Sequence, residues 1–170
     1  RDLSHFTVSN TTSMRGSCIN GCGLYYNHLG VVGSNDANNM PSLYITRSSF
    51  VNNFSFNNGS SIYALFNIEE GVTSYPLPNV WITECMFIGD YAENNVMKLY
   101  HPQTTNTSGT IVVKIENSMF QSYVCPEGID GNVTLIISNC SFSGLYRAVT
   151  IENSVLFVEN STFGMSDTMG

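Results

Sequence analysis

One six-residue pattern recurs five times along the chain: a β-branched residue, any residue, a third usually polar, then Ser or Cys, any residue, and Phe. The copies are Ile45–Phe50, Ile82–Phe87, Ile115–Phe120, Ile137–Phe142 and Val158–Phe163, and a weaker sixth runs from Phe6 through Val8 to Asn10. Two residues before each full copy stands another apolar side chain, at Leu43, Val80, Val113, Leu135 and Leu156. That is the period-two alternation of a strand with one buried face. Helical repeats need longer apolar stretches at i, i+3, i+4 and i+7, which these segments lack.

The five Phe residues stand at 50, 87, 120, 142 and 163, so the intervals are 37, 33, 22 and 21 residues. The unit is therefore about 21 to 22 residues, the length of one solenoid turn, and the longer intervals carry insertions. Between hexads a second apolar alternation appears, at 24–26, 62–66, 96–100 and 148–151. One coil then holds a strand from the Phe, a middle strand, and a strand leading into the next hexad. The pattern resembles the right-handed parallel β-helix of the pectin-lyase-like superfamily, whose triangular coils have this length and carry Asn at a tight bend. The resemblance runs from about Phe6 to Phe163 and points to an extracellular, non-catalytic branch. The expected fold class is all-β: a right-handed parallel β-helix solenoid of about five to six coils, one domain over 1–170, part of a longer chain or assembly. A β-sandwich is the alternative, and the missing two-residue hairpin turns weigh against it.

Stacking coils at about 4.8 Å puts equivalent positions in columns. Phe50, Phe87, Phe120, Phe142 and Phe163 are the expected core ladder. Ser48, Cys85, Ser118, Cys140 and Ser161 form a column where the chain turns inward and nothing larger fits. Arg47, Glu84, Asn117, Asn139 and Asn160 form the bend column, where Asn tolerates positive φ and pairs amide to amide. Arg47 and Glu84 read as the ladder failing toward the N-terminal half. Insertions at about 27–41, 67–79 and 101–109 fall at one corner and are rich in loop residues, a surface available to a partner.

Charged residues are 11% of the chain against about 25% in ordinary domains, while Asn occurs at 20 positions and Ser at 21. The net charge of -7, with six scattered basic residues, excludes a phosphate-neutralising surface and hence nucleic acid. No apolar run approaches the length of a membrane span, about 20 residues. The chain opens on Arg1, so a processed or excised piece is expected. N-glycosylation acceptors stand at Asn10, Asn53, Asn58, Asn106, Asn132, Asn139 and Asn160. Asn53, Asn58, Asn106 and Asn132, in or beside loops, are expected to be occupied more fully than Asn139 and Asn160, which neighbour each other in the bend column. Of five cysteines, Cys18 and Cys22 can close a small disulfide loop. Cys85 and Cys140 lie two strand spacings apart, roughly 10 Å, too far to bridge, so they read as buried free thiols and Cys125 as the leftover. Sequons, cysteines and low charge together favour a secreted or cell-surface location.

Catalytic and metal chemistry finds little support. His5, His28 and His101 fall on different coils, so neither a metal site nor a cofactor is expected, and Glu69 with Glu70 reads as a solvated loop. The resemblance implies polysaccharide cleavage by clustered Asp residues, but Asp2, Asp36, Asp90, Asp130 and Asp167 neither pair nor share a column. A glycosidase needs two carboxylates about 5 to 9.5 Å apart. Glu116, Glu152 and Glu159, with Lys114, read as an ordinary solvent face. The sequence thus favours a glycosylated structural or adhesive module, a filament or matrix subunit whose partners are covalent N-glycans and either adjoining coils or copies of itself at the solenoid ends. Carbohydrate binding or polysaccharide cleavage is the alternative.

Overall fold

The computed structural model describes residues 5–20, 22–30, 42–68, 79–89, 91–92, 95–100, 111–121, 127–130, 133–143, 150–152 and 155–164, and every regular element among them is a strand. The first coil holds β1 (His5–Ser9), β2 (Thr12–Met14), β3 (Ser17–Asn20) and β4 (Leu24–Gly30). The second holds β5 (Ser42–Thr46), β6 (Ser49–Val51) and β7 (Phe54–Ile68), and the third β8 (Asn79–Thr83), β9 (Met86–Ile88), β10 (Tyr91–Ala92) and β11 (Asn95–Tyr100). The fourth holds β12 (Ile111–Glu116), β13 (Met119–Gln121) and β14 (Glu127–Asp130). The fifth holds β15 (Val133–Ser138), β16 (Ser141–Ser143) and β17 (Thr150–Glu152), and the sixth contributes β18 (Val155–Glu159) and β19 (Thr162–Gly164).

Equivalent strands of successive coils pair side by side. The first sheet runs β1-β5-β8-β12-β15-β18 and the second β2-β6-β9-β13-β16-β19, while the third is built on β7, β11, β14 and β17 with β3, β4 and β10 along β7. Every pairing among them is parallel. A parallel pair needs a crossover, and here each crossover is made by the coil's strands in the other two sheets. The chain is an all-β parallel solenoid with its core inside the coils. Leu43, Ile45, Val80, Ile82 and Ile137 are wholly buried there, and the strand register aligns Leu43 with Val80 and Ile45 with Ile82.

The hexad straddles the corner between the first two sheets, which is why it repeats. Its third residue takes the left-handed conformation in all six coils, with φ between 47° and 55° at Asn10, Arg47, Glu84, Asn117, Asn139 and Asn160. The bend N–H donates to the next coil, as Glu84 N to Glu116 O at 3.1 Å, and two residues later the N–H donates to the previous coil, as Met86 N to Ser48 O at 2.9 Å. The N–H between them belongs to the small column. Cys85 N donates to Ser118 Oγ and Cys140 N to Ser161 Oγ, both at 3.1 Å, and each hydroxyl donates back to its own chain two residues earlier. Serine is therefore chosen here for its hydroxyl as well as its size. Arg47 and Glu84 do not interrupt the ladder as expected. Backbone hydrogen bonds hold them in the left-handed region at a cost of roughly 1–2 kcal/mol each.

The aromatic rings follow the register. Phe50 to Phe87, Phe87 to Phe120, Phe120 to Phe142 and Phe142 to Phe163 stack with centroids 5.1, 4.5, 4.7 and 4.8 Å apart and planes within 7°. In the first coil the column position is Ser13, opposite Phe50. Backbone fills the space there: a Cβ on Gly23 would stand 2.5 Å from the Phe50 ring and 2.4 Å from Ser61 O, so only glycine fits.

Two expectations about the third sheet need correction. The middle strands run longer than the apolar alternation suggested, β4 to Gly30 and β7 to Ile68, so the inserted segments begin later; the rest of those segments lies outside the described residues. β14 escaped notice because Glu127–Asp130 has one apolar residue, Ile129; the strand is imposed by pairing of Ile129 with Leu99 and Ile151 on either side.

Phe120→Ala, which empties a site between two rings, is expected to cost about 3–5 kcal/mol. Glu84→Asn is expected to stabilise by about 1 kcal/mol through relief of the left-handed penalty. Urea midpoints at unchanged m-value would read both changes.

Candidate functional site

Each hexad presents an outward bend residue, an inward small residue, then another outward residue. Stacked, they make a groove of about 820 Å³ along the solenoid axis. One wall is Arg47, Glu84, Asn117, Asn139 and Asn160; the other is Ser49, Met86, Met119, Ser141 and Thr162; Cys85, Ser118 and Cys140 lie at its floor. Apart from Arg47 and Glu84 at one end, the walls are amides, hydroxyls and the half-exposed thioethers of Met86 and Met119. Such a surface can form neutral hydrogen bonds and carry covalent decoration.

The floor offers no ready nucleophile. Cys85 donates to Thr83 O at 3.3 Å and Ile45 O at 3.6 Å; Cys140 donates to Ser138 O at 3.2 Å and Ile115 O at 3.5 Å. Both are buried free thiols in one column with Ser118 between them. Burial pushes both thiols above their ordinary value, outweighing the hydrogen bonds that favour the thiolate.

The sequons divide unexpectedly. Asn10, Asn139 and Asn160 are exposed, all three on left-handed bends. Asn53, one of the four sites expected to be occupied more fully, is 1% exposed, and its Oδ1 accepts from Gly16 N at 3.0 Å and Ser13 Oγ at 3.2 Å. A glycan cannot be attached there in the folded chain. The corner after Phe50 places Asn52 outward with φ 53°, which turns its neighbour Asn53 in; two adjacent asparagines look alike in sequence. Asn58 lies on β7 with its backbone opposite Asn95 and Asn20, its side chain outside the described residues, and Asn106 and Asn132 fall outside them altogether. Burial thus closes one of the four sites expected to be occupied more fully, while the bend column faces solvent and remains a turn.

A second locus lies on the outer face of the first sheet, where Tyr44, Trp81, Lys114, Ile136 and Phe157 are aligned across adjacent strands. Tyr44 meets Trp81 edge to face at 5.2 Å, and Lys114 Nζ stands 5.7 Å above the Trp81 ring. Lys114 also pairs with Glu116 at 2.7 Å, and Ser138 Oγ donates to Glu116 Oε1 at 3.3 Å. Glu159 is two strands from Glu116, roughly 10 Å, with Ser138 between them, whereas Glu152 belongs to the third sheet. The three glutamates thus do not converge.

Cys18 and Cys22 form a disulfide with Cα atoms 5.4 Å apart. Cys125 and His101 are outside the described residues, while His5 and His28 lie on β1 and β4. Among the described residues no three His, Cys, Asp or Glu side chains gather as a metal set, and no helix is long and apolar enough to cross a membrane. No protein-family model, curated protein or solved structure matches the chain.

Because the folded thiols ionise above their ordinary value of 9.0, the stability they contribute is present below that pH and is lost as pH rises beyond it. Cys85→Ser/Cys140→Ser is expected to flatten the alkaline fall in unfolding free energy. Iodoacetamide at neutral pH is expected to label both thiols in urea and neither in buffer, read by peptide mass.

Proposed function

We propose that this chain is an extracellular, N-glycosylated, right-handed parallel β-helix of the pectin-lyase-like kind, serving a structural or adhesive role without catalysis. The observation that carries this reading is the outer corner, where sequon asparagines at Asn10, Asn139 and Asn160 project to solvent from a rigid ladder. Glycans there would hydrate a surface that has few charges of its own. The Cys18–Cys22 bridge fits an oxidising compartment, and the buried state of Cys85 and Cys140 protects them from oxidation there. A ladder in which each inner coil's backbone is bonded to both neighbours suits a load-bearing or spacing element.

Glycopeptide mapping of secreted material is the test. Glycan at Asn10 and on at least one of Asn139 and Asn160, with Asn53 bare, is the expected pattern. Material bare at all three bend sites would remove the reading.

Carbohydrate binding is a second reading, favoured by the half-exposed Trp81 beside Tyr44, since sugar rings pack on aromatic side chains. Here tryptophan emission would shift on titration with neutral oligosaccharides and the response would vanish in Trp81→Ala. The structural reading expects no shift.

A further inference from the structure

Tyr25 on β4 and Tyr63 on β7 occupy equivalent positions of the first and second coils. Parallel pairing sets the two residues directly opposite each other, and their rings stack with centroids 5.6 Å apart and planes 20° from parallel. Leu24 and Tyr26 pack on the core, and Ile62 and Ala64 are wholly buried in it, so strand alternation sends both intervening tyrosines out of the coil. Tyr25 is 53% exposed. Tyr63 is only partly buried although paired strands flank it on both sides, so solvent reaches the pair from the second coil as well as from the first.

The register decides what this contact can do. Side chains that leave the same face of adjacent strands and stack nearly parallel bring their ring edges abreast, which is the approach that coupling of two phenols requires. The same two coils have no other covalent tie among the described residues: the Cys18–Cys22 bridge closes within the first coil, and Cys85 and Cys140 are buried free thiols.

We propose that Tyr25 and Tyr63 are an oxidative cross-linking site, at which a haem peroxidase acting with hydrogen peroxide joins the first coil to the second through a carbon–carbon bond. Each phenol gives up one electron and its hydroxyl proton. The two phenoxyl radicals couple at ring carbons ortho to oxygen, and each ring then moves the hydrogen of its coupled carbon to the oxygen, which restores the phenol and its aromaticity. The two electrons and two protons released reduce one hydrogen peroxide to two waters. Exposed rings reorient in picoseconds to nanoseconds, so the step from stacking contact to bonding distance is not slow. A partner held in contact acts at an effective concentration of up to about 10⁵–10⁸ M, far above that of a tyrosine on another chain in solution, so coupling within the chain outruns coupling between chains. This goes beyond the structural reading above and does not depend on glycosylation.

The experiment treats the folded chain with a haem peroxidase and limiting hydrogen peroxide, then maps proteolytic peptides by mass. The expected product is one cross-linked species containing Tyr25 and Tyr63, lighter than the sum of its two peptides by two hydrogens and emitting dityrosine fluorescence. Its yield is expected to stay constant when the protein is diluted, and to exceed that of any other tyrosine pair. Tyr25→Phe and Tyr63→Phe, which keep the stacked rings but lack the phenol, are each expected to lower the dityrosine yield more than about tenfold. Far-UV circular dichroism checks that both variants are folded. Failure of the Tyr25–Tyr63 species to form in the folded wild type would overturn the inference, as would a yield that falls on dilution, which would mean that the bond joins two chains. Either result leaves the glycan-based reading standing, since that depends on occupancy of the bend sequons.

Discussion

Everything in this molecule depends on turning a hydrogen-bonded parallel strand through a sharp corner without leaving a backbone N–H unpaired. The left-handed residue makes the turn, and by doing so it swings successive N–H groups from the next coil to the previous one. Between those two lies one N–H that backbone carbonyls do not reach in the third and fifth coils. There the hydroxyl of Ser118 or Ser161 accepts it. An orphaned buried donor costs about 1–3 kcal/mol, so this solution at the corners of Thr11, Cys85 and Cys140 is a substantial part of why those coils close.

Once the corner is set, in-register stacking fixes the packing. Parallel pairing brings equivalent residues together, so a Phe that follows the bend must meet the Phe of the next coil at the strand spacing. The small column is the other side of the same geometry. Cys85 and Cys140 occupy it because a thiol is small and can donate to carbonyls, and their burial makes them packing groups with little reactivity.

The outer surface inherits the repeat as well. The six bend residues are exposed, and among residues that carry a side chain Asn is one of the few that takes the left-handed conformation readily. A sequon asparagine at a bend is therefore presented to solvent by the same constraint that builds the fold. Asn53 illustrates the converse: one position past the second corner, its amide bonds Gly16 and Ser13 and locks the first coil to the second.

The sequence by itself determined the all-β class, the coil length and the Phe, small and bend columns, because each is a local pattern repeated at a fixed offset, and it offered Cys18 with Cys22 as a pair close enough to bridge. Side-chain period, turn preference and loop size are short-range properties, and five copies of Ile-or-Val to Phe made them legible. What the tertiary structure alone decided are the matters settled by neighbours in adjacent coils. Arg47 and Glu84 keep the bend because the coils on either side hold their backbones there, and Glu127–Asp130 becomes a strand because Leu99 and Ile151 flank Ile129. Asn53 turns inward because Asn52 has already used the outward position. Ser118 and Ser161 serve as acceptors through contacts 33 and 21 residues away in the chain. Contacts between coils are long-range, and a single sequence records the residue types that satisfy them without recording which residue each one meets.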